Sequence, residues 1–118
     1  MATRASVGRS GEGAAERLYV ARGYRVLARN WRCRLGELDL VLLRDGTLVI
    51  CEVKARRGSR FGGPHEAVDA RKRRKLRTLA QLYLRQLPSE PDHVRFDVAS
   101  VRIGPRGSAS VRLFQDAF

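Results

Sequence analysis

Only two cysteines, Cys33 and Cys51, occur among 118 residues. Two isolated thiols neither build a disulfide framework nor match a metal-ligand spacing. Cys51, inside an apolar run, reads as a small buried residue. Histidine is as scarce: His65 and His93 have no companion cluster, and the serines fall in loops with no base near them in sequence. That leaves no set of the nucleophile–histidine type to compete for the chemistry. No apolar stretch is long enough for a bilayer, and the opening residues, MATRASVGRSGEG, are polar and small, unlike a secretory leader. The expected location is the cytoplasm. Acidic residues are few, 12 against 24 cationic ones, and the formal charge is +12. An excess of that size concentrates polyanions at the surface, and nucleic acid is the commonest of these. Lysine is nearly absent: Lys54, Lys72 and Lys75 are the only three, and all other cations are arginine. Where arginine is so favoured, each remaining lysine stands out as a compact ammonium.

What is present bounds a single domain, residues 10–118, behind a flexible basic N-terminus at 1–9. A hydrophobic fraction of 43% is enough for a core at this length without disulfide or structural metal. Ser10 is placed to cap a helix running to about Arg22, with Glu12 in its first turn and Gly23 as its stop. Residues 24–31 (YRVLARNW) alternate as a first strand. Leu38–Leu43 and Leu48–Val53 are strands joined by Asp45-Gly46, a two-residue hairpin turn. A basic, Gly-rich loop (ARRGSRFGGPHE) follows, readable as a connector or as a phosphate-contacting flap. A second helix is expected from about Glu66 to Leu87, with Val68, Lys72, Leu76, Leu79, Ala80, Tyr83 and Leu87 along one stripe of period 3.6. Lys72 therefore lies on the apolar stripe rather than opposite it. Val94–Ile103 and Val111–Phe114 complete an α/β domain of order α-β-β-β-α-β-β, one mixed sheet flanked by helices. The helix between the third and fourth strands is a crossover that allows a parallel pair there.

The hairpin carries the informative residues. With Asp45-Gly46 as the whole loop, Leu43 faces Leu48, Val41 faces Ile50, Asp39 faces Glu52 and Glu37 faces Lys54. Residues two apart share a face, so Glu37, Asp39, Glu52 and Lys54 would gather at one end. Opposed like charges are unfavourable in a sheet, and burying carboxylates costs several kcal/mol unless they are paired, coordinated or protonated. One reading is structural, with Glu37 salt-bridged to Lys54 and Asp39 capping a strand end. The other is a site for a hard divalent cation, Mg²⁺ or Mn²⁺, held by Asp39 and Glu52. Such an ion polarises a phosphoryl oxygen and activates a water, with Lys54 beside it.

Asp39 followed on the next strand by Glu52-Val53-Lys54 resembles the PD-(D/E)xK nuclease superfamily, with Leu38 where that motif has its proline. The chain is more closely similar to the bacterial YraN family of uncharacterised nuclease-like proteins. The segments that carry this are Gly11-Glu12 with Ala15, Gly23-Tyr24, Arg29-Asn30, Gly36-Glu37-Leu38-Asp39-Leu40 and Glu52-Val53-Lys54 with Arg56. Further on they include Phe61-Gly62, Ala67-Val68, Lys72, Ala80, Leu84 and Arg95-Phe96-Asp97-Val98. The resemblance implies a restriction-endonuclease-like sheet and a catalytic set of Asp39, Glu52 and Lys54, with Glu12 as an assisting helix carboxylate and Lys72 as an accessory residue. Glu37 is then an outer partner of the site. The expected activity is metal-dependent hydrolysis of phosphodiester bonds. An inactive nucleic-acid binder of the same fold is the alternative. Arg56, Arg57 and Arg60 in the loop and Arg71, Lys72, Arg73, Arg74, Lys75 and Arg77 on the second helix are the candidate phosphate contacts. DNA is expected ahead of RNA as partner, with no membrane; a homodimer is compatible with this reading.

Overall fold

The computed structural model describes residues 3–58, 60–63, 66 and 68–118. His65, Ala67 and the first two residues, to which the sequence reading assigned places, lie outside that set. The elements run α1 (Arg4–Ala21), β1 (Arg25–Cys33), β2 (Gly36–Arg44), β3 (Thr47–Arg57), α2 (Ala70–Leu84), β4 (His93–Ile103), a 3₁₀ turn (Pro105–Gly107) and β5 (Ala109–Phe114). The five strands form one sheet in sequence order, antiparallel except for the parallel pair β3–β4. The expected class and order therefore hold, and α2 is the crossover that makes the parallel pair possible.

Alternation along β3 sends its side chains to two cores. Leu48 and Ile50 pack with Leu76, Leu79 and Tyr83 of α2, while Val49 and Cys51 pack with Ala15 and Tyr19 of α1. The sheet is thus buried on both faces, which explains the near-continuous apolar runs of β2 and β3. Trp31 of β1 meets Tyr83 edge-on, with 5.4 Å between ring centroids. Among the described residues, no helix is long and apolar enough to cross a membrane.

Helix α1 starts at Arg4, not Ser10, so the expected flexible segment is largely helical. Thr3 supplies the reason: its hydroxyl accepts from the Ser6 N–H while the Ser6 hydroxyl accepts from the Thr3 N–H, a reciprocal cap. Val7 then packs against the cluster of Ala14, Val101 and Ile103, contacts that a local reading of the sequence does not reveal. At the other helix Asp69 caps the N-terminus through the Lys72 N–H at 2.9 Å, so α2 is shorter at both ends than the apolar stripe suggested.

Candidate metal and nucleic-acid site

The hairpin turn has the expected form, with Asp45 and Gly46 both at positive φ (48° and 79°). The predicted register holds from Arg44–Thr47 through Leu40–Cys51. There the β2–β3 ladder stops, one pair short of Asp39–Glu52. The cause is a change of face in β2. Leu38 belongs to the core under α2 and Leu40 to the core under α1, although they are two apart. Asn30, on the neighbouring strand between the partners of these two residues, has a positive φ of 49°. Asp39 sits at this break and turns its carboxylate to the next strand, where Oδ2 accepts from the Val53 N–H at 2.9 Å. The side chain takes the place of a missing ladder bond, so the strand-end capping role and a place beside Glu52 are both realised.

Glu52 is buried, with its side chain 10% exposed. Among the described residues its one ion pair is with Lys72 Nζ, at 3.3 Å, from a lysine side chain that is 46% exposed. Burial pushes the Glu52 carboxyl up to about 8, and a shared hydrogen bond and charge repulsion from Asp39 act in the same direction; Lys72 opposes them. The two carboxyl groups are therefore held close, in a site that disfavours two negative charges. They open on a hollow of about 350 Å³ bordered by Gly36, Glu37, Lys72, Lys75 and the side of α2. Gly36 has a φ of 152°, a backbone conformation that favours glycine, and it lies against the end of the Lys75 side chain, whose Cε is 2.8 Å from where a Cβ would sit.

The remaining predicted residues divide. Glu37 borders the hollow but pairs with Arg32 at 2.8 Å across β1–β2, instead of facing Lys54. The face change at Asp39 ended the register on which that pairing depended. Glu12 lies on the α1 side of Asp39, in a separate hollow with Asn30, Glu16 and Arg29. Its carboxyl is raised above the usual range by burial and by Asp39, with Glu37 adding and Asn30 opposing. Gly11 brings it there: a Cβ at that position would collide with Ala55 of β3, so only glycine allows α1 to seat so closely. Lys54 shares the Glu52 face, two residues on, and is exposed outside the carboxylate hollow.

The candidate phosphate contacts also separate. Lys72 and Lys75 border the hollow, and Arg71, Arg73 and Arg74 are exposed along α2. Arg77 instead lies over the rings of Phe96, at 4.8 Å, and Phe118. Arg56 shares the Glu52 face and pairs with Glu66 at 3.1 Å; Arg60 is exposed. Arg57 points the other way, into a groove of about 570 Å³ beside Ser6, Ser10 and Arg106 on the α1 side. Adjacent strand residues face opposite sides, so Arg56 and Arg57 cannot serve one surface.

Two cations escaped the sequence reading. Register aligns Lys54 with Ser100 and Ser100 with Arg112, and it aligns Arg56 with Arg102. Arg102 and Arg112 thus join the face of Glu52 from β4 and β5. The alternation of β4 could have signalled Arg102; nothing local marks Arg112.

As a metal site the arrangement is lean. Among the described residues no three His, Cys, Asp or Glu side chains converge to hold an ion. The donor set is Asp39 with Glu52, two hard oxygen ligands in a polar hollow. That fits Mg²⁺ or Mn²⁺ better than a softer metal, because Mg²⁺ is commonly bound through one or two carboxylates while keeping several waters. The raised Glu52 carboxyl is an independent sign of fit, since a cation there would relieve the same repulsion.

Comparison with known proteins places this geometry in a family. Over 112 residues the chain is 54% identical to a UPF0102 protein of Symbiobacterium thermophilum, covering 95% of each. It is 49% identical to one of Frankia alni over the whole of both, and 41% identical to one of Pseudomonas syringae over 98% of the chain and 95% of the relative. Residues 11–101, from the glycine that seats α1 to near the end of β4, match the family as a whole. The chain therefore belongs to the uncharacterised protein family UPF0102, which is the YraN family.

Proposed function

We propose that this protein is a metal-dependent nuclease that hydrolyses phosphodiester bonds, in DNA ahead of RNA. One observation carries the reading: Glu52 is a buried carboxylate that shares a hydrogen bond with Asp39 and, among the described residues, has its ion pair with a half-exposed lysine, at the edge of an open basic hollow. A carboxylate kept there for stability alone would not be expected to face a second carboxyl group at an open hollow.

Asp39 and Glu52 would hold Mg²⁺ or Mn²⁺. Such an ion, when bound, supplies Lewis-acid polarisation of a phosphoryl oxygen and a more acidic water. The chain's own residues do the rest. The Val53 N–H fixes the Asp39 carboxylate at the break in β2. Lys72 balances Glu52 in the protein alone and, with Lys75, puts positive charge on the rim where a phosphate would sit. Lys54 follows Glu52 on the same face, where its ammonium can orient a water or offset charge on the phosphate. Glu12, held partly buried behind Asp39, assists by tuning that carboxylate through charge.

The second reading, an inactive nucleic-acid binder, is favoured by the exposure of Lys54 outside the hollow. Cleavage separates the two. Purified protein is assayed with Mg²⁺ and with Mn²⁺ on single-stranded, duplex, flap and junction substrates, beside Asp39→Ala and Lys54→Ala. The nuclease reading expects cleavage that falls at least a hundredfold in both variants. Cleavage that survives both, or that no substrate elicits, removes it.

A further inference from the structure

On the α2 face of the sheet, apolar packing under α2 ends at Ile50 and Val98. Beyond it the register lays out a strip of polar and cationic residues: Lys54, Ser100 and Arg112 in one row, Arg56, Arg102 and Ser110 in the next. The rows are about 7 Å and 13 Å from Glu52 along β3, and each spans about 10 Å across three strands. Phe61 and Gly62, in the loop after β3, lie against this strip. The Gly62 N–H donates to Ser100 Oγ at 3.2 Å, and Arg56 holds Glu66. These ties bring Phe61 to Arg102 and Arg112, whose guanidinium carbons lie 5.3 Å and 5.0 Å from its ring centre.

We propose that Lys54, Arg102 and Arg112, ordered around Phe61, form a lane for the backbone of a single nucleic-acid strand leading away from the carboxylate hollow. The inference rests on the nucleic-acid reading above and adds where the strand runs. Three observations support it. Among the described residues none of the three cations has a carboxylate within ion-pair distance, so their charge is available. Among the described residues Arg102 Nε is buried with no acceptor, so its guanidinium is unpaired in the protein, and phosphate oxygens are the acceptors the outer edge of such a fork fits best. Phe61 also fixes two flexible side chains in advance, which lowers the ordering cost of binding. The strip is the width of one strand rather than of a duplex, and cations beside a ring are how single strands are commonly held.

The test measures binding without cleavage. Fluorescence anisotropy in EDTA follows a labelled single-stranded oligonucleotide and the matching duplex across a salt series. Removing two phosphate contacts should flatten the plot of log affinity against log salt by roughly 1.4 for the single strand. The Arg102→Gln/Arg112→Gln double variant should show that change, with about tenfold or greater loss at low salt. The Arg102→Lys/Arg112→Lys variant should keep the slope, which separates lost charge from lost folding, and Arg85→Gln, on the far end of α2, should match the parent protein. Phe61→Ala should weaken binding about threefold at unchanged slope. An unchanged slope in the double glutamine variant, no binding by the parent protein, or a loss confined to the duplex overturns the lane. Cleavage with an unchanged slope leaves the nuclease reading and removes the lane; a flattened slope without cleavage under any metal does the reverse.

Discussion

Two buried carboxylates in this sheet, Asp97 and Glu52, live under opposite conditions. Asp97 is fully buried and saturated. It accepts from the Tyr19 hydroxyl at 2.7 Å, from the Asp116 N–H at 2.9 Å and from Arg95 through both oxygens at 2.9 Å. Arg95 is itself tied to the Tyr24 hydroxyl. This network joins α1, the turn before β1, β4 and the C-terminal segment. Glu52 is almost as buried but holds one long contact to a mobile type of side chain and faces a second carboxyl group. Saturation marks a carboxylate that serves the fold, whereas on the proposed function the paired carboxyl groups beside the hollow are completed by a bound cation.

The largest expected effect breaks the saturated side. Asp97→Ala should cost about 3–5 kcal/mol in denaturant unfolding, because it leaves Arg95 and Tyr19 without their acceptor in the interior. A cost below 1 kcal/mol would mean that the network is ornamental and that the contrast with Glu52 fails.

The next effect is pH dependence on the Glu52 side. Its carboxyl is raised from the usual 4.5 to about 8 in the folded protein. The folded state therefore binds the extra proton between those values, and stability falls as pH rises across them. The contribution is complete below about 4.5 and lost as pH passes 8; its size is on the order of a few kcal/mol. Unfolding in EDTA from pH 4.5 to 8.5 should show this decline, and Glu52→Gln should flatten it. A parallel decline in the variant assigns the dependence to another group.

A cation should then substitute for that proton. At pH 8, Mg²⁺ or Mn²⁺ at a hundred times its dissociation constant should stabilise the protein by about 2.7 kcal/mol. Thermal melts of Asp39→Asn should show no such gain. Equal shifts in parent and variant would place the ion elsewhere.

Smallest is the effect of removing Lys72, ranked against Arg95, the cation opposite the saturated carboxylate. Lys72→Gln should cost no more than about 1 kcal/mol, since the ion pair is open to solvent on the lysine side. Arg95→Gln should cost several times as much, since it empties a partly buried bidentate contact. Melts of the two variants side by side settle the ranking, and comparable losses would erase it.

Much of this was legible in the sequence because it depends on neighbours. Alternation, the Asp45-Gly46 turn and the apolar stripe of α2 are set within a few residues, and they gave the hairpin register down to Leu40–Cys51. Lys72, on the apolar stripe, reaches Glu52 at 3.3 Å while its side chain stays half-exposed. The extrapolation failed at Asp39, where β2 changes face, and with it the expected Glu37–Lys54 pair. It also failed at the start of α1, whose first turns are capped by Thr3 and held by Val7 against β4.

By itself the sequence determined the order of elements, the paired carboxylates on the central hairpin and the excess of positive charge, since each follows from local periodicity or simple composition. Only the tertiary structure decided which charges act together. It paired Glu37 with Arg32, sent Arg57 to the opposite face from Arg56 and laid Arg77 over Phe96. It also brought Arg102 and Arg112 from β4 and β5 to the face of Glu52. Those outcomes depend on strand pairing across many residues and on which side of a twisted sheet each side chain leaves, and no short window of the chain encodes either.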